Sequence, residues 1–296
     1  MRATIWGCRG SLATPGPDTV RYGGNTSCVE VRLDDGSLVV LDAGTGIRQL
    51  GLEPAAAEAR VVHLLLTHLH LDHIEGLGFF FPFWVPGVEF HIWGPASPTL
   101  SLEQRVERLL SPPLFPVHLR RVPCDLTFHD APDGTFRIGD ATITSQPVSH
   151  AGPAVGYRIE EAGASLAYIP DHEPVHGGSV GDLEPSWISG FGIAAGSDVL
   201  LHDSQYTEAE YPAKVGWGHS SVRHVVEFAM KTGVGQLVMF HHDPLHTDDA
   251  LDVHLERARE LWGDRPDPPV LAHEGMRFEL PGRGLVTPSG ASSARA

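Results

Sequence analysis

Six consecutive residues constrain this chain more than any other feature: His68-Leu69-His70-Leu71-Asp72-His73. Only Thr67 separates them from Val61-Val62-His63-Leu64-Leu65-Leu66, a nearly continuous apolar run of strand length. Four side chains able to bind a metal therefore sit where a buried strand leaves its sheet. In extended backbone, alternate side chains point the same way. His68 and His70 can thus converge on one cation, while Asp72 and His73 turn toward a second. Imidazole with carboxylate suits Zn²⁺ first, with Mn²⁺ or Fe²⁺ as alternatives. The competing reading is a polar loop rich in histidine by coincidence, in a chain that has 18 histidines.

A dinuclear site needs ligands from elsewhere, and three later strand-like runs each end on one. Residues 141–148 lead to Ser149-His150, Ala167-Tyr168-Ile169-Pro170 leads to Asp171, and residues 237–240 lead to His241. His242 rivals His241, which is preferred as the first residue after the apolar run. His172 neighbours Asp171, and its side chain should point elsewhere.

Further strands are expected at residues 2–6, 27–33, 37–42, 88–93, 136–148, 154–160, 165–169 and 236–240, with Asp34-Asp35-Gly36 as a hairpin turn. A short helix should follow Ala43-Gly44-Thr45-Gly46. Others are expected at 100–110 (stopped by Pro112-Pro113), after Val199-Leu200-Leu201-His202, at 220–231 before Gly233, and at 248–262. Strands, helices, strands, helices in that order suit a four-layer α/β sandwich better than a doubly wound sheet. With 296 residues and 42% hydrophobic content, residues 1–280 can form a single domain. Residues 281–296, rich in Ser, Gly and Ala, read as a disordered tail.

Charge and cysteine content limit the function. A formal net charge of -16 repels polyanions, which disfavours extended nucleic acid as a partner. A small anionic substrate is still compatible, because bound cations would dominate the local field. Three widely spaced cysteines form neither a disulfide framework nor a thiolate zinc site. The N-terminal residues lack a signal-peptide pattern, and no apolar run reaches the ~18 residues of a membrane span. A cytoplasmic location is expected.

The ligand residues together resemble the metallo-β-lactamase superfamily, whose pattern is His-x-His-x-Asp-His, then a His, a bridging Asp and a final His. The resemblance runs from Asp42 to His241. It implies an αββα sandwich with two divalent metal ions: His68, His70 and His150 on one, Asp72, His73 and His241 on the other, and Asp171 bridging. Two more segments, His202-Asp203-Ser204-Gln205-Tyr206 and Gly218-His219-Ser220-Ser221, are similar to the ribonuclease Z-like branch. There an acidic residue after His orients a catalytic His before Ser. Asp203 would orient His219, and His219 would supply a proton. With Asp72, these are the candidate catalytic residues. The sequence departs from the branch in carrying Asp where Glu is usual.

Gly7-Cys8-Arg9-Gly10-Ser11 and Tyr22-Gly23-Gly24-Asn25-Thr26-Ser27 resemble a bacterial group of small phosphodiesterases, cyclic-nucleotide enzymes among them. The basic, Gly-rich arm with which ribonuclease Z grips precursor tRNA has no counterpart here. The expectation is therefore a small anionic phosphodiester substrate, no long nucleic acid, no membrane, and a homodimer by analogy with the branch. Two metals ~3.5–4 Å apart would activate a water for in-line attack. Rival readings are a lactonase, thioesterase or β-lactamase on the same metals, a non-catalytic metal-binding module, and a di-iron oxidoreductase. Cys8 reads as structural or pocket-lining. The run Phe79-Phe80-Phe81-Pro82-Phe83-Trp84 reads as core, with a pocket wall or dimer contact as alternatives.

Overall fold

Most strands of this chain are apolar on both faces, so each sheet must be covered twice. The computed structural model describes residues 1–280 and 285–286. In it, the strands are β1 (Arg2–Gly7), β2 (Cys28–Arg32), β3 (Leu38–Leu41), β4 (Val61–Leu65), β5 (Glu89–Pro95), β6 (Asp125–Ala131), β7 (Gly134–Ile138) and β8 (Ala141–Pro147). They continue as β9 (Val155–Glu161), β10 (Ala164–Ile169), β11 (Val199–Asp203), β12 (Gln236–Phe240), β13 (Val270–Leu271), β14 (Arg277–Glu279) and β15 (Leu285–Val286). The helices are α1 (Ile47–Leu50), α2 (Pro54–Ala57), α3 (Leu102–Glu107), α4 (Phe191–Ala194), α5 (Val222–Thr232) and α6 (Asp248–Trp262).

Two mixed sheets face each other, in the orders β15-β14-β1-β2-β3-β4-β5-β6 and β13-β12-β11-β10-β9-β8-β7. Each is antiparallel on one side and parallel on the other: β3 through β6 run parallel in the first, and β10 through β13 in the second. Period-two alternation divides the core. Val39, Leu41, Leu166, Tyr168, Val238 and Phe240 pack between the sheets. Val40, Val62 and Leu64 face Ile47, Leu50 and Val106 of the first helical layer. Leu200, Leu237 and Met239 face Val225, Phe228 and Leu251 of the second. The expected helix–sheet–sheet–helix sandwich is thus formed.

Several element boundaries differ from those expected. Residues 136–148 are not one strand but the hairpin β7–β8, because Gly139 turns with φ +53°. Helix α3 stops at Glu107, and the chain tightens into turns before Pro112-Pro113. No helix follows β11 directly. Residues 204–221 form a loop with one short 3-10 turn, held open by Gly216 and Gly218 at positive φ. Strand β6 was not expected: its polar-alternating residues are recruited by seven register pairs to β5. Leu280 is buried, so the fold extends through it. The expected tail lies outside the described residues apart from Leu285 and Val286, which pair with Phe278 and Arg277. No helix of the described residues is long and apolar enough to cross a membrane.

Candidate metal centre

Strand β4 ends at Leu65, and the chain passes through Thr67-His68-Leu69-His70 into a short 3-10 turn over Leu71–His73. Strands β8, β10 and β12 deliver His150, Asp171 and His241 to the same end of the sandwich. The seven residues meet there. Ligand-type atoms of His68, His70, His150 and Asp171 all lie within 4.8 Å of one another, and so do those of Asp72, His73 and His241. Asp171 faces both groups. Its Oδ2 lies 3.7 Å from His68 Nε2 and 3.6 Å from His150 Nε2, while its Oδ1 lies 2.9 Å from His73 Nε2 and 3.2 Å from His241 Nε2. Asp72 Oδ2 is 3.3 Å from both His73 Nε2 and His241 Nε2. Around a tetrahedral cation with bonds of ~2.0–2.2 Å, donor atoms stand roughly 3.4 Å apart, so these spacings fit divalent cations.

The imidazoles are aimed by partners that can only accept. His73 Nδ1 meets the Asp42 carboxylate at 2.8 Å, and His150 Nδ1 meets the Gly218 carbonyl at 2.8 Å. Thr67 Oγ1 donates to Asp42 and is therefore free to accept from His68 Nδ1 at 3.1 Å. Gln205 gives its amide nitrogen to Asp243 Oδ2, which turns its oxygen toward His241 Nδ1 at 3.1 Å. Each contact favours a proton on Nδ1 and leaves Nε2 to face the cluster. His70 faces His150 Nε2 through Nδ1 at 3.1 Å. His68 Nε2, His73 Nε2 and Asp171 Oδ1 are buried without a hydrogen-bond partner, and the last two do not meet in hydrogen-bonding orientation despite their short separation. Buried polar atoms left without partners call for a ligand.

Electrostatics agree with that geometry. Burial, reinforced by neighbouring rings, holds His68 well below the usual imidazole range, and burial likewise lowers His70 and His150. Neutral imidazoles are the form that binds metals. Burial opposes ionisation of Asp171 and Asp72, but the surrounding histidines win and hold both carboxyls below their normal range. Around His73 the carboxylates of Asp171, Asp72 and Asp42 outweigh burial and raise the ring well above its usual value. The pocket demands positive charge.

His219 stands at the edge of this cluster. Its Nδ1 is 2.6 Å from Asp203 Oδ2, and its ring stacks on His241 at 5.0 Å. Asp171, His219 and His241 also form a compact group of potential ligands, but His219 Nδ1 is committed to Asp203. Asp203 accepts further from the backbone N–H groups of His172, Gln205 and Ser220. These hold the shorter carboxylate within hydrogen-bond reach of His219. Burial opposes a charge on His219, but Asp203, then Asp171 and Asp72, outweigh it and push the ring up to about 9.

The rival histidines point away. His242 donates its Nε2–H to the Ala272 carbonyl at 2.9 Å, and burial lowers it to about 3. His172 bonds His202 at 2.8 Å. Cys8 is fully buried with its thiol against the Tyr22 and Ala272 carbonyls, and burial pushes its pKa far up. The aromatic run is split. Phe80 and Phe83 are core, whereas Phe79 and Phe81 are exposed.

Three contributors escaped sequence reading. Ser11, at φ +58°, directs its N–H to Asp72 Oδ2 at 2.7 Å. Gln205 aims His241. Glu173, with no exposure, accepts from Gly216 N, Gly218 N and the Tyr211 hydroxyl at 2.9, 2.9 and 2.6 Å. It thereby fixes the loop that carries both His219 and the carbonyl orienting His150.

Comparison with known proteins identifies the family. The β-lactamase superfamily domain matches residues 38–242. Ribonuclease Z of Mycobacterium bovis is 30% identical over 78% of this chain and 83% of its own length. Among solved structures, the metallo-β-lactamase fold protein YhfI from Bacillus subtilis superposes with a TM-score of 0.68 at 19% identity, covering 94% of this chain and 99% of that one. A diphosphatase from the PhnP family superposes with a TM-score of 0.65 at 19% identity, covering 94% and 97%. The chain therefore belongs to the metallo-β-lactamase superfamily, in its ribonuclease Z-like branch, and is a metal-dependent hydrolase.

Proposed function

We propose that this chain is a phosphodiesterase that works with two divalent cations, zinc foremost, on a small anionic phosphodiester. The observation that carries the reading is the Asp203–His219 pair at 2.6 Å on the edge of the ligand cluster. Expulsion of an alkoxide needs a proton. Lactone, thioester and β-lactam hydrolysis on such metals have less need of a dedicated donor. Asp203 fixes the His219 ring through Nδ1, and Nε2 is left to carry the proton delivered to the leaving oxygen.

The cation set follows from the donors. His68, His70 and His150 would hold one ion, Asp72, His73 and His241 the other, and Asp171 would serve both. When bound, the ions supply Lewis acidity toward the phosphoryl oxygens and make water nucleophilic near neutral pH. The chain's own residues do the rest. Asp42, Gly218, Gln205 and Thr67 orient the imidazoles, and Ser11 N–H steadies Asp72. His70 is exposed, which supports access from its side.

A net charge of -16 supports a small substrate over a long RNA. Three free, buried cysteines fit a reducing, cytoplasmic compartment. The exposed Phe79 and Phe81 support a homodimer, which sedimentation would test.

The deciding experiment compares leaving groups in His219→Ala. A phosphodiester with an alkyl leaving group should lose ~10²–10⁴-fold in kcat/KM, the usual contribution of a general acid. The p-nitrophenyl analogue, whose leaving group needs no proton, should lose far less. Equal losses on both esters, or none on the alkyl ester at full metal content, would refute the role. Faster turnover of a lactone, thioester or β-lactam than of any phosphodiester would transfer the site to that chemistry. A preference for 3′-extended RNA over small diesters would overturn the substrate size.

A further inference from the structure

The chain carries two lysines, Lys214 and Lys231, against its net charge of -16. Lys231 is engaged by the Gly181 carbonyl at 2.7 Å. Lys214 lies in the loop between β11 and α5, the loop that carries His219. Among the described residues, no carboxylate comes within ion-pair distance of it. Its ammonium instead sits 3.8 Å from the centre of the Trp217 ring and 5.8 Å from that of Tyr206. The Tyr206 ring in turn meets His219 edge-on at 5.8 Å and 90°. A cation that also touches an indole is thus placed one aromatic ring away from His219.

Trp217 is 56% exposed, unusual for the largest apolar side chain. The backbone that carries it is held: the Trp217 backbone N–H bonds the Lys214 carbonyl at 3.0 Å, and the flanking Gly216 and Gly218 N–H groups are clasped by buried Glu173. Lys214 lies over the indole ring, and more than half of Trp217 stays open to solvent. A half-open indole beside a cation, set in an otherwise anion-repelling surface, suits a ligand with a flat ring joined to a phosphate.

We propose that Trp217 and Lys214 recognise the nucleoside side of a nucleotide phosphodiester, the base stacking on the open indole face and the ammonium drawing in the phosphate. The inference rests on the phosphodiesterase reading above and names its substrate class. Stacking of a single base on an aromatic side chain corresponds to about 5- to 150-fold in affinity.

Two readouts test it. The first is binding without turnover: calorimetric titration of the protein, with and without added zinc, with AMP and with methyl phosphate. AMP should bind about 5- to 150-fold more tightly. Trp217→Ala should collapse that ratio, and Trp217→Phe should restore most of it. Lys214→Gln should weaken both ligands, less so at high salt. The second is the ratio of kcat/KM for thymidine 5′-(p-nitrophenyl phosphate) over methyl p-nitrophenyl phosphate, which should fall in Trp217→Ala.

The proposal is overturned if AMP binds no better than methyl phosphate, if Trp217→Ala weakens both equally, or if that variant turns a dimer into a monomer, which would assign the indole to a contact between copies. Turnover of the methyl ester without nucleoside preference would sink the platform and spare the phosphodiesterase. Failure to cleave any phosphodiester would sink the phosphodiesterase, while the binding ratio would still decide the platform.

Discussion

Replacing Asp42 by Asn separates folding from metal binding. Asp42 is fully buried at φ +58°, a backbone conformation that Asn tolerates. Its Oδ1 accepts from Thr67 N at 2.7 Å, and its Oδ2 accepts from Thr67 Oγ1, Tyr168 Oη and His73 Nδ1 at 2.9, 3.0 and 2.8 Å. An Asn that keeps its oxygen toward Thr67 N presents NH₂ to His73 and Tyr168. The Tyr168 hydroxyl can turn and accept. His73 can accept only by shifting its proton to Nε2, the atom that faces Asp171 Oδ1 at 2.9 Å. Hydrogen bonds are then satisfied, so the metal-free fold should lose only about 2 kcal/mol, the cost of exchanging charge-assisted bonds for neutral ones. The lone pair offered to a cation is gone. Loss of such an orienting carboxylate costs ~10–100-fold in metal affinity, or roughly 1.4–2.7 kcal/mol. Zinc competition with a chromophoric chelator would read the affinity, and urea unfolding in excess chelator would read the fold. Two zinc ions bound at wild-type affinity, or a loss of folding stability above ~5 kcal/mol with affinity unaltered, would refute the tautomer reasoning.

Glu173→Gln should cost about 3 kcal/mol in urea unfolding, because one amide face then opposes a backbone N–H and a charge-assisted bond is lost; it should also lower kcat more than it raises KM, since the loop bearing His219 loosens. Gly218→Ala should be worse than ordinary Gly-to-Ala strain at φ +87°, because the new Cβ runs into His150 Nδ1; zinc content by mass spectrometry should fall below two per chain. Acid should destabilise the fold through His63, whose ring burial and the neighbouring His91 and His129 lower to about 4. Its folded value lies below the unfolded ~6.5, so its stability contribution is full above pH ~6.5 and lost as pH falls toward ~4. That loss is roughly 2 kcal/mol after allowance for partial solvation, and His63→Asn should flatten the dependence of the urea midpoint over that window.

The parts of the fold legible in sequence were those written locally. β4 and β12 are continuous apolar runs that end on donors, so their type and the ligand positions after them could be read together. β6 could not, because Asp125-Leu126-Thr127-Phe128-His129 alternates like a surface loop and becomes a strand only by pairing with β5. The expected helix after β11 failed because Asp203 binds the N–H of Gln205 and thereby starts a loop. The residues that aim the site were hidden for a related reason. Glu173 acts on Tyr211, Gly216 and Gly218, and Gln205 acts on His241, at separations where spacing carries no signal.

The ligand cluster is divided between the halves of the chain: His68, His70, Asp72 and His73 follow the first sheet's β4, while His150, Asp171 and His241 follow strands of the second. Neither half alone can close a coordination shell. During synthesis the first four donors emerge early and must wait for Asp171, and then His241, before a cation is enclosed. Metal uptake would therefore be a late event that reports the docking of one sheet on the other. An ion held there would also act as a clamp across the sandwich, one that resists separation of the halves more than it strengthens either.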